Sequence, residues 1–116
     1  MTSTQLFADI GIITRWLDES NKKTDPDVED VMRILKISEE LGEVTQAYIG
    51  MTGQNPRKGY THTIADVEAE LADVVVTALC AIQRFTQSAH LTEEIVLGKI
   101  DSIIKRAELS HAGILR

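Results

Sequence analysis

The stretch KISEELGEVTQAY, residues Lys36–Tyr48, is the most informative part of this 116-residue chain. Its apolar residues recur at spacings of three and four, which predicts an amphipathic helix. The same stretch carries three glutamates, Glu39, Glu40 and Glu43. Like charges four residues apart on a helix repel by roughly 0.2–0.5 kcal/mol. Either water screens these carboxylates on an exposed face, or a cation lies in front of them.

The rest of the chain continues the helical pattern. Only two prolines and seven glycines interrupt it, and aromatic residues make up 4%, so long helices are favoured over a sheet. We expect helices at about residues 3–20, 27–52 and 63–88, and a fourth from about Thr92 to 109. Asp25 or Asp27 should cap the second helix, and Thr63 with Asp66 resembles a capping box. The sequence therefore predicts a single all-α domain over residues 1–116.

Charge and cysteine content exclude several classes of protein. The formal net charge of −6 argues against broad binding to nucleic acid or to anionic membranes. We find no uncharged run long enough to span a membrane and no export leader. The single cysteine, Cys80, lies in an apolar run and should be a small buried side chain. These features predict a cytoplasmic protein.

A second acidic cluster, Glu70 and Asp73, lies in the third predicted helix. On a helical wheel, Glu70 falls at the edge of its apolar stripe as Glu40 does, and Asp73 corresponds to Glu43. If the two helices pack antiparallel through those stripes, four carboxylates converge. An oxygen-only ligand set suits a hard cation, Mg²⁺ or Mn²⁺. The alternative is a solvated acidic face with an ion pair between Lys36 and Glu40.

Other catalytic arrangements find little support in the sequence. A di-iron carboxylate bundle needs Glu-x-x-His on two helices, and this spacing occurs once, at Glu108 and His111. No set of serine, histidine and acid stands out, and the glycine-rich phosphate motifs are absent.

The paired acidic motifs resemble a known signature. EELGE at Glu39–Glu43 followed by ELAD at Glu70–Asp73 is similar to the EExxE…ExxD pattern of the all-α nucleoside triphosphate pyrophosphohydrolases, and most resembles their MazG-like branch. The resemblance covers roughly residues 28–106. It implies a four-helix, MazG-like bundle completed by dimerisation, working as a homodimer or a dimer of dimers.

The resemblance also implies a reaction and its ligands. Glu40, Glu43, Glu70 and Asp73 would hold Mg²⁺, with Mn²⁺ as a substitute. Glu39 would help bind a second ion or position the attacking water. The reaction would be hydrolysis of a nucleoside triphosphate to a monophosphate and pyrophosphate, as part of nucleotide-pool house-cleaning.

Phosphate groups also need cations from the protein. Lys36, one helical turn before Glu40, is the first candidate, with a surface ion pair as its alternative. The other candidates are basic pairs: Arg57 and Lys58 in the loop after the second helix, and Lys105 and Arg106 near the end of the fourth. A solvated loop and complementation of the helix dipole are their respective alternatives. Trp16 is predicted to pack in the core or an interface rather than to stack on a base.

The third predicted helix also indicates an oligomer, independently of any family. Beyond Val74 it is apolar nearly all round, because Val76, Leu79 and Cys80 fall outside the main stripe. Such a helix must be covered on every side, and a two-fold dimer is the commonest way to do so. Two alternatives to an enzyme stay open at this point: a non-catalytic helical interaction module, and a metal-binding regulator without turnover.

Overall fold

The described part of the chain folds into four α-helices. The computed structural model describes residues 1–111, and within that range it contains no strand. The helices are α1 (Ser3–Ser20), α2 (Pro26–Thr52), α3 (Ile64–Thr86) and α4 (Ala89–His111). The all-α prediction is confirmed, and the predicted bounds of α1, α2 and α3 hold to within two residues. None of the described helices combines the length and the apolar character needed to cross a membrane.

Local side-chain chemistry explains where the first three helices begin. The hydroxyl of Thr2 accepts a hydrogen bond from Gln5 N, and Asp25 caps α2 with Pro26 in its first turn. At α3, Thr63 and Asp66 form a complete capping box, in which the Asp66 carboxylate accepts from Thr63 N at 2.8 Å. These caps satisfy backbone donors that a helix leaves without partners.

The start of α4 differs from the prediction. The helix begins at Ala89, and the hydroxyl of Ser88 accepts from Leu91 N at 3.1 Å. Thr92 lies inside the helix, is fully buried, and donates a hydrogen bond to Gln83 Oε1 at 2.8 Å. Thr92 therefore joins α4 to α3 through a buried polar contact, while the nearby Ser88 provides the cap.

Helix α2 runs antiparallel to α3, which is its main packing partner. Arg84 near the end of α3 contacts Asp30 near the start of α2 at 2.7 Å, whereas Glu40 further along α2 lies beside Asp73 and Glu70. Residue numbers therefore increase along α2 in the direction in which they decrease along α3, so the two helices are antiparallel. Helix α1 packs on α3 and α4, and within the described part of the chain the backbones of α1 and α2 do not touch.

The core of the single chain is thin. Its buried apolar residues are Phe7, Ile10, Ala47, Val67, Cys80 and Ala81. The predicted burial of Cys80 is confirmed. Trp16 is 65% exposed, so the core of its own chain does not cover it, and its packing in an interface stays a prediction. The radius of gyration is 17.9 Å, against about 13 Å for a compact domain of this length. Much apolar surface is consequently left uncovered, including Tyr48, Tyr60 and Phe85.

The capping box gives a direct test of what positions α3. Thr63→Ala should lower the free energy of unfolding by about 1 kcal/mol, because it removes the acceptor for the Asp66 amide and one side of the box. Chemical denaturation followed by circular dichroism measures the change.

Thr45→Ala is the matched control for Thr63→Ala. Thr45 is exposed inside α2, and its hydroxyl donates only to the Leu41 carbonyl of its own helix. Because alanine is the better helix former, this change should leave stability equal or slightly higher. An equal loss in both variants would contradict the capping role of Thr63.

Candidate metal centre

The two predicted acidic clusters meet at the contact between α2 and α3. Glu39, Glu40 and Glu43 offer carboxylate oxygens that lie within 4.8 Å of one another, and so do Glu40, Glu70 and Asp73. Glu40 belongs to both groups, so the five carboxylates form one continuous cluster with two places where three acids converge. Residues Glu39, Glu40, Glu43, Glu70 and Asp73 are called the acidic cluster below.

Burial within the acidic cluster follows the helical pattern of the sequence. Glu40 and Glu70 are partly buried, while Glu43 and Asp73 are exposed. Each helix therefore contributes one acid at the edge of the core and one on the solvent side. Glu39 is exposed and completes the solvent side.

The partly buried acids resist ionisation. Burial raises the pKa of Glu40 above its ordinary value, and the carboxylates of Glu43 and Asp73 raise it further, while Lys36 acts in the opposite direction. Burial likewise raises the pKa of Glu70, together with the neighbouring carboxylates of Glu43, Asp73 and Glu40. Desolvation and like-charge repulsion both disfavour the carboxylate form. The acidic cluster thus carries more negative charge than its surroundings offset.

Lys36 does little to neutralise the negative charge at the centre of the acidic cluster. Its ammonium contacts Glu39 Oε1 at 2.8 Å, on the solvent side. The ion pair between Lys36 and Glu40 in the solvated-face alternative is therefore replaced by one between Lys36 and Glu39, three residues apart. The hydrogen bond to Glu39 raises the pKa of Lys36, so the side chain stays charged. Since both partners are about half exposed, the pair contributes no more than about 1 kcal/mol to stability.

One oxygen in the acidic cluster has no partner at all. Glu70 Oε2 is buried and accepts no hydrogen bond. A buried acceptor without a donor is unfavourable, and such groups are rare in folded proteins. A cation at this position would satisfy the oxygen. The donor set, carboxylates alone, matches the hard-oxygen preference of Mg²⁺ and Mn²⁺, so the residues present fit such an ion.

The other predicted phosphate-binding residues do not contact the acidic cluster. Arg57 and Lys58 are exposed in the loop between α2 and α3, where Asn55 Oδ1 accepts from Arg57 N. Lys105 pairs with Asp101 on its own helix at 3.1 Å, and Arg106 is exposed beside it. Helix α4 does not pack on α2 among the described residues. The side chain of His111, the partner of Glu108 in the di-iron alternative, lies outside the described residues.

Sequence reasoning missed a partly buried charge network that joins α1, α2 and α3. Arg33 contacts Asp18 of α1 at 3.0 Å and Glu29 at 3.4 Å. Arg84 of α3 contacts the same Asp18 oxygen at 3.0 Å as well as Asp30. The spacing of four between Glu29 and Arg33 could have indicated their pair. The links to α1 and α3 depend on how three helices cross, which spacing does not reveal.

Comparison of the chain with protein-family models, with curated proteins and with solved structures yields no match.

The raised pKa of Glu70 predicts how stability depends on pH. Without metal, the folded state holds a proton on Glu70 at a pH where the unfolded chain, with a glutamate pKa of about 4.3, has lost it. The Glu70 contribution therefore disfavours folding at neutral pH, and this penalty disappears as pH falls through the raised folded-state pKa towards the unfolded value.

Glu70→Gln mimics the protonated form and should be more stable than the parent at pH 7 in a chelator. Its advantage should shrink as the pH approaches 4.3, as measured by thermal unfolding across the range. Glu68→Gln, at an exposed position outside the acidic cluster, is the control. If the difference in stability between Glu70→Gln and the parent did not change with pH, the raised pKa of Glu70 would be contradicted.

Proposed function

We propose that this protein is a Mg²⁺-dependent nucleoside triphosphate pyrophosphohydrolase, which converts a nucleoside triphosphate and water into a monophosphate and pyrophosphate. The observation that carries the proposal is the convergence of five carboxylates around Glu40, with the unpartnered Glu70 Oε2 among them. Asp18, Glu29 and Asp30 are held by ion pairs with Arg33 and Arg84, whereas among the described residues the acidic cluster has one ion pair, between Lys36 and the exposed Glu39. The similarity of its two motifs to the MazG-like signature supports the same assignment.

Each residue of the acidic cluster has a role in this proposal. Glu40, Glu43, Glu70 and Asp73 hold the ion, and Glu39 binds a second ion or orients the attacking water. Bound Mg²⁺ supplies charge neutralisation at the phosphoryl oxygens and a more acidic water. Lys36, exposed and charged at the solvent side, attracts the triphosphate, and its ion pair with Glu39 keeps the ammonium beside the reacting groups.

The other candidate phosphate-binding residues do not contact the acidic cluster in the single chain. Arg57 and Lys58 lie in the loop that leads into α3 and can approach the phosphates when that loop moves. Lys105 and Arg106 lie on a helix with no packing against α2. They serve the site only if another copy of the chain brings them to it.

We also propose that the protein is a homo-oligomer. Large apolar side chains along α2, α3 and α4 are exposed in the single chain, and the radius of gyration exceeds that of a compact domain. A homodimer or a dimer of dimers would cover these side chains. We place the activity in the cytoplasm, where house-cleaning of the nucleotide pool would occur.

The same exposed apolar surface favours a second candidate function. A non-catalytic helical module would use it to bind another protein, and the acidic cluster would then be a metal-binding or solvated feature without turnover. Product analysis separates the two candidates, because only the hydrolase releases pyrophosphate.

Loss of Glu40 or of Asp73 should strongly reduce turnover. Glu40→Gln and Asp73→Asn should each lower kcat/KM by at least about 100-fold, because each removes a ligand of the ion that balances phosphate charge. Pyrophosphate and monophosphate are measured separately over a panel of nucleoside triphosphates, with and without Mg²⁺.

Glu19→Gln, an exposed change at the end of α1, is the matched control and should retain parent activity. Circular dichroism verifies that the helical content persists in all three variants. Full activity in both Glu40→Gln and Asp73→Asn would refute the metal-site assignment. A folded parent without turnover on the whole panel would favour the interaction module.

The oligomer is testable through α4. Ile100 and Ile104 lie one turn apart and are about half exposed, so Ile100→Glu with Ile104→Glu should shift a dimer towards monomer at micromolar concentration. Analytical ultracentrifugation measures the mass, and Lys99→Glu on the same helix is the control. A parent chain that sediments as a monomer at tens of micromolar would exclude the proposed assembly.

A further inference from the structure

The end of α1 and most of the linker that follows it, residues 15–24, form one side of a pocket. This pocket has a volume of about 410 Å³ and lies between α1, α2 and α3. Leu17, Asn21 and Thr24 of the segment line it, and so does Cys80 of α3. What holds residues 15–24 in place therefore decides how open the pocket is on the α1 side.

The core holds the first part of α1 but not residues 15–24. The last buried side chain of α1 is Thr14, and none of residues 15–28 is buried. Within the described part of the chain, the backbones of α1 and α2 do not touch. Segments with few buried contacts open locally at a lower free energy than the rest of a protein. Residues 15–24 consequently depend on polar side-chain contacts to stay in place.

Asp18 supplies these contacts. Its Oδ1 accepts a hydrogen bond from Arg33 Nη2 of α2 and another from Arg84 Nη1 of α3, both at 3.0 Å. Among the other described side chains of residues 15–24, none makes an ion pair or a hydrogen bond to another helix, and the Ser20 hydroxyl donates to the Trp16 carbonyl of its own helix. A single carboxylate oxygen thus ties the segment to both neighbouring helices.

Both arginines have a second partner, so Asp18 can leave without depriving either of a counter-charge. Arg33 also contacts Glu29 at 3.4 Å, and Arg84 also contacts Asp30 at 2.7 Å. Without Asp18, two matched pairs remain, Arg33 with Glu29 and Arg84 with Asp30. Because a buried charge without a partner is costly, the surplus carboxylate makes Asp18 the member of the network that is released most easily.

We propose that residues 15–24 form a flap over the pocket, which the two ion pairs of Asp18 hold closed. In the closed state the flap shields the Cys80 thiol, which is 3% exposed. In the open state the part of α1 after Thr14 loses its contacts with α2 and α3, and solvent enters the pocket. Glu40 lines this pocket and belongs to the acidic cluster, so the flap controls access to the candidate site from the α1 side. This inference concerns a motion of the chain and is independent of the proposed hydrolysis.

Cys80 provides the readout, because it is the one cysteine of the chain and it lines the pocket. Iodoacetamide alkylates the thiol only when the reagent reaches it, and mass spectrometry measures the rate at fixed pH. Asp18→Asn should raise this rate by about tenfold, because charge-assisted hydrogen bonds are the strong ones and the change removes the charge. An unchanged rate in Asp18→Asn overturns the flap.

Two control variants test whether Asp18 acts through its contacts. Glu19→Gln removes a charge from the exposed neighbour of Asp18 and should keep the rate within about twofold of the parent, since such surface changes have small effects. Asp30→Asn breaks the contact of Arg84 with α2 but leaves both contacts of Asp18, so its rate should stay well below that of Asp18→Asn. A rise in either control that equals the rise in Asp18→Asn overturns the role of Asp18.

The urea dependence of the same reaction separates opening of the flap from unfolding of the whole chain. Local opening exposes little surface, so the alkylation rates of the parent and of Asp18→Asn should change little at low urea concentrations. Circular dichroism measures global unfolding in the same solutions. If the rate rises with the slope of global unfolding, the thiol reacts only in the unfolded chain, and the flap is overturned.

Discussion

The antiparallel register of α2 and α3 is the constraint on which the rest of the structure depends. At one end Arg84 fixes it through a 2.7 Å contact with Asp30. Further along α2, Ala47 is 1% exposed, so the packed contact continues beyond the acids. With the register fixed in this way, Glu40 and Glu43 come beside Asp73 and Glu70. A shift of one residue would rotate each side chain by about 100° around its helix and separate the carboxylates.

This register is held against electrostatic repulsion. Five carboxylates gather at the α2–α3 contact, and the partly buried Glu40 and Glu70 have raised pKa values because burial and neighbouring charges oppose their ionisation. The core that supports the arrangement is thin, with few fully buried apolar side chains. A domain is stable by only about 5–15 kcal/mol, so uncompensated charge at this place is a considerable burden. A cation bound between these carboxylates would offset their mutual repulsion.

Helix bounds and the positions of the acids could be predicted from the sequence because both depend on short-range patterns. Capping residues and apolar spacing located α1, α2 and α3, and the helical wheel placed Glu40 and Glu70 at the edge of the core. Prediction was wrong for the start of α4, where Ser88 and Thr92 offer competing hydroxyls four residues apart. For Trp16 the prediction was packing in the core or in an interface, and only the core of the same chain is excluded, since an apolar pattern does not say which surface covers it. The network around Arg33 and the pocket beside it depend on the crossing of three helices, and no local pattern encodes that crossing.

One face of α2 connects the pocket of about 410 Å³ between α1, α2 and α3 with the acidic cluster. Glu29 and Arg33 lie at the pocket, Lys36 follows one turn later, and Glu40 belongs to the acidic cluster. Because these residues share a single helix, the distance between them along its axis is fixed by the rise of about 1.5 Å per residue. Loop motion is not needed to set that distance. Glu40 belongs to both places, so the spacing between the pocket and the acidic cluster is a property of the helix itself.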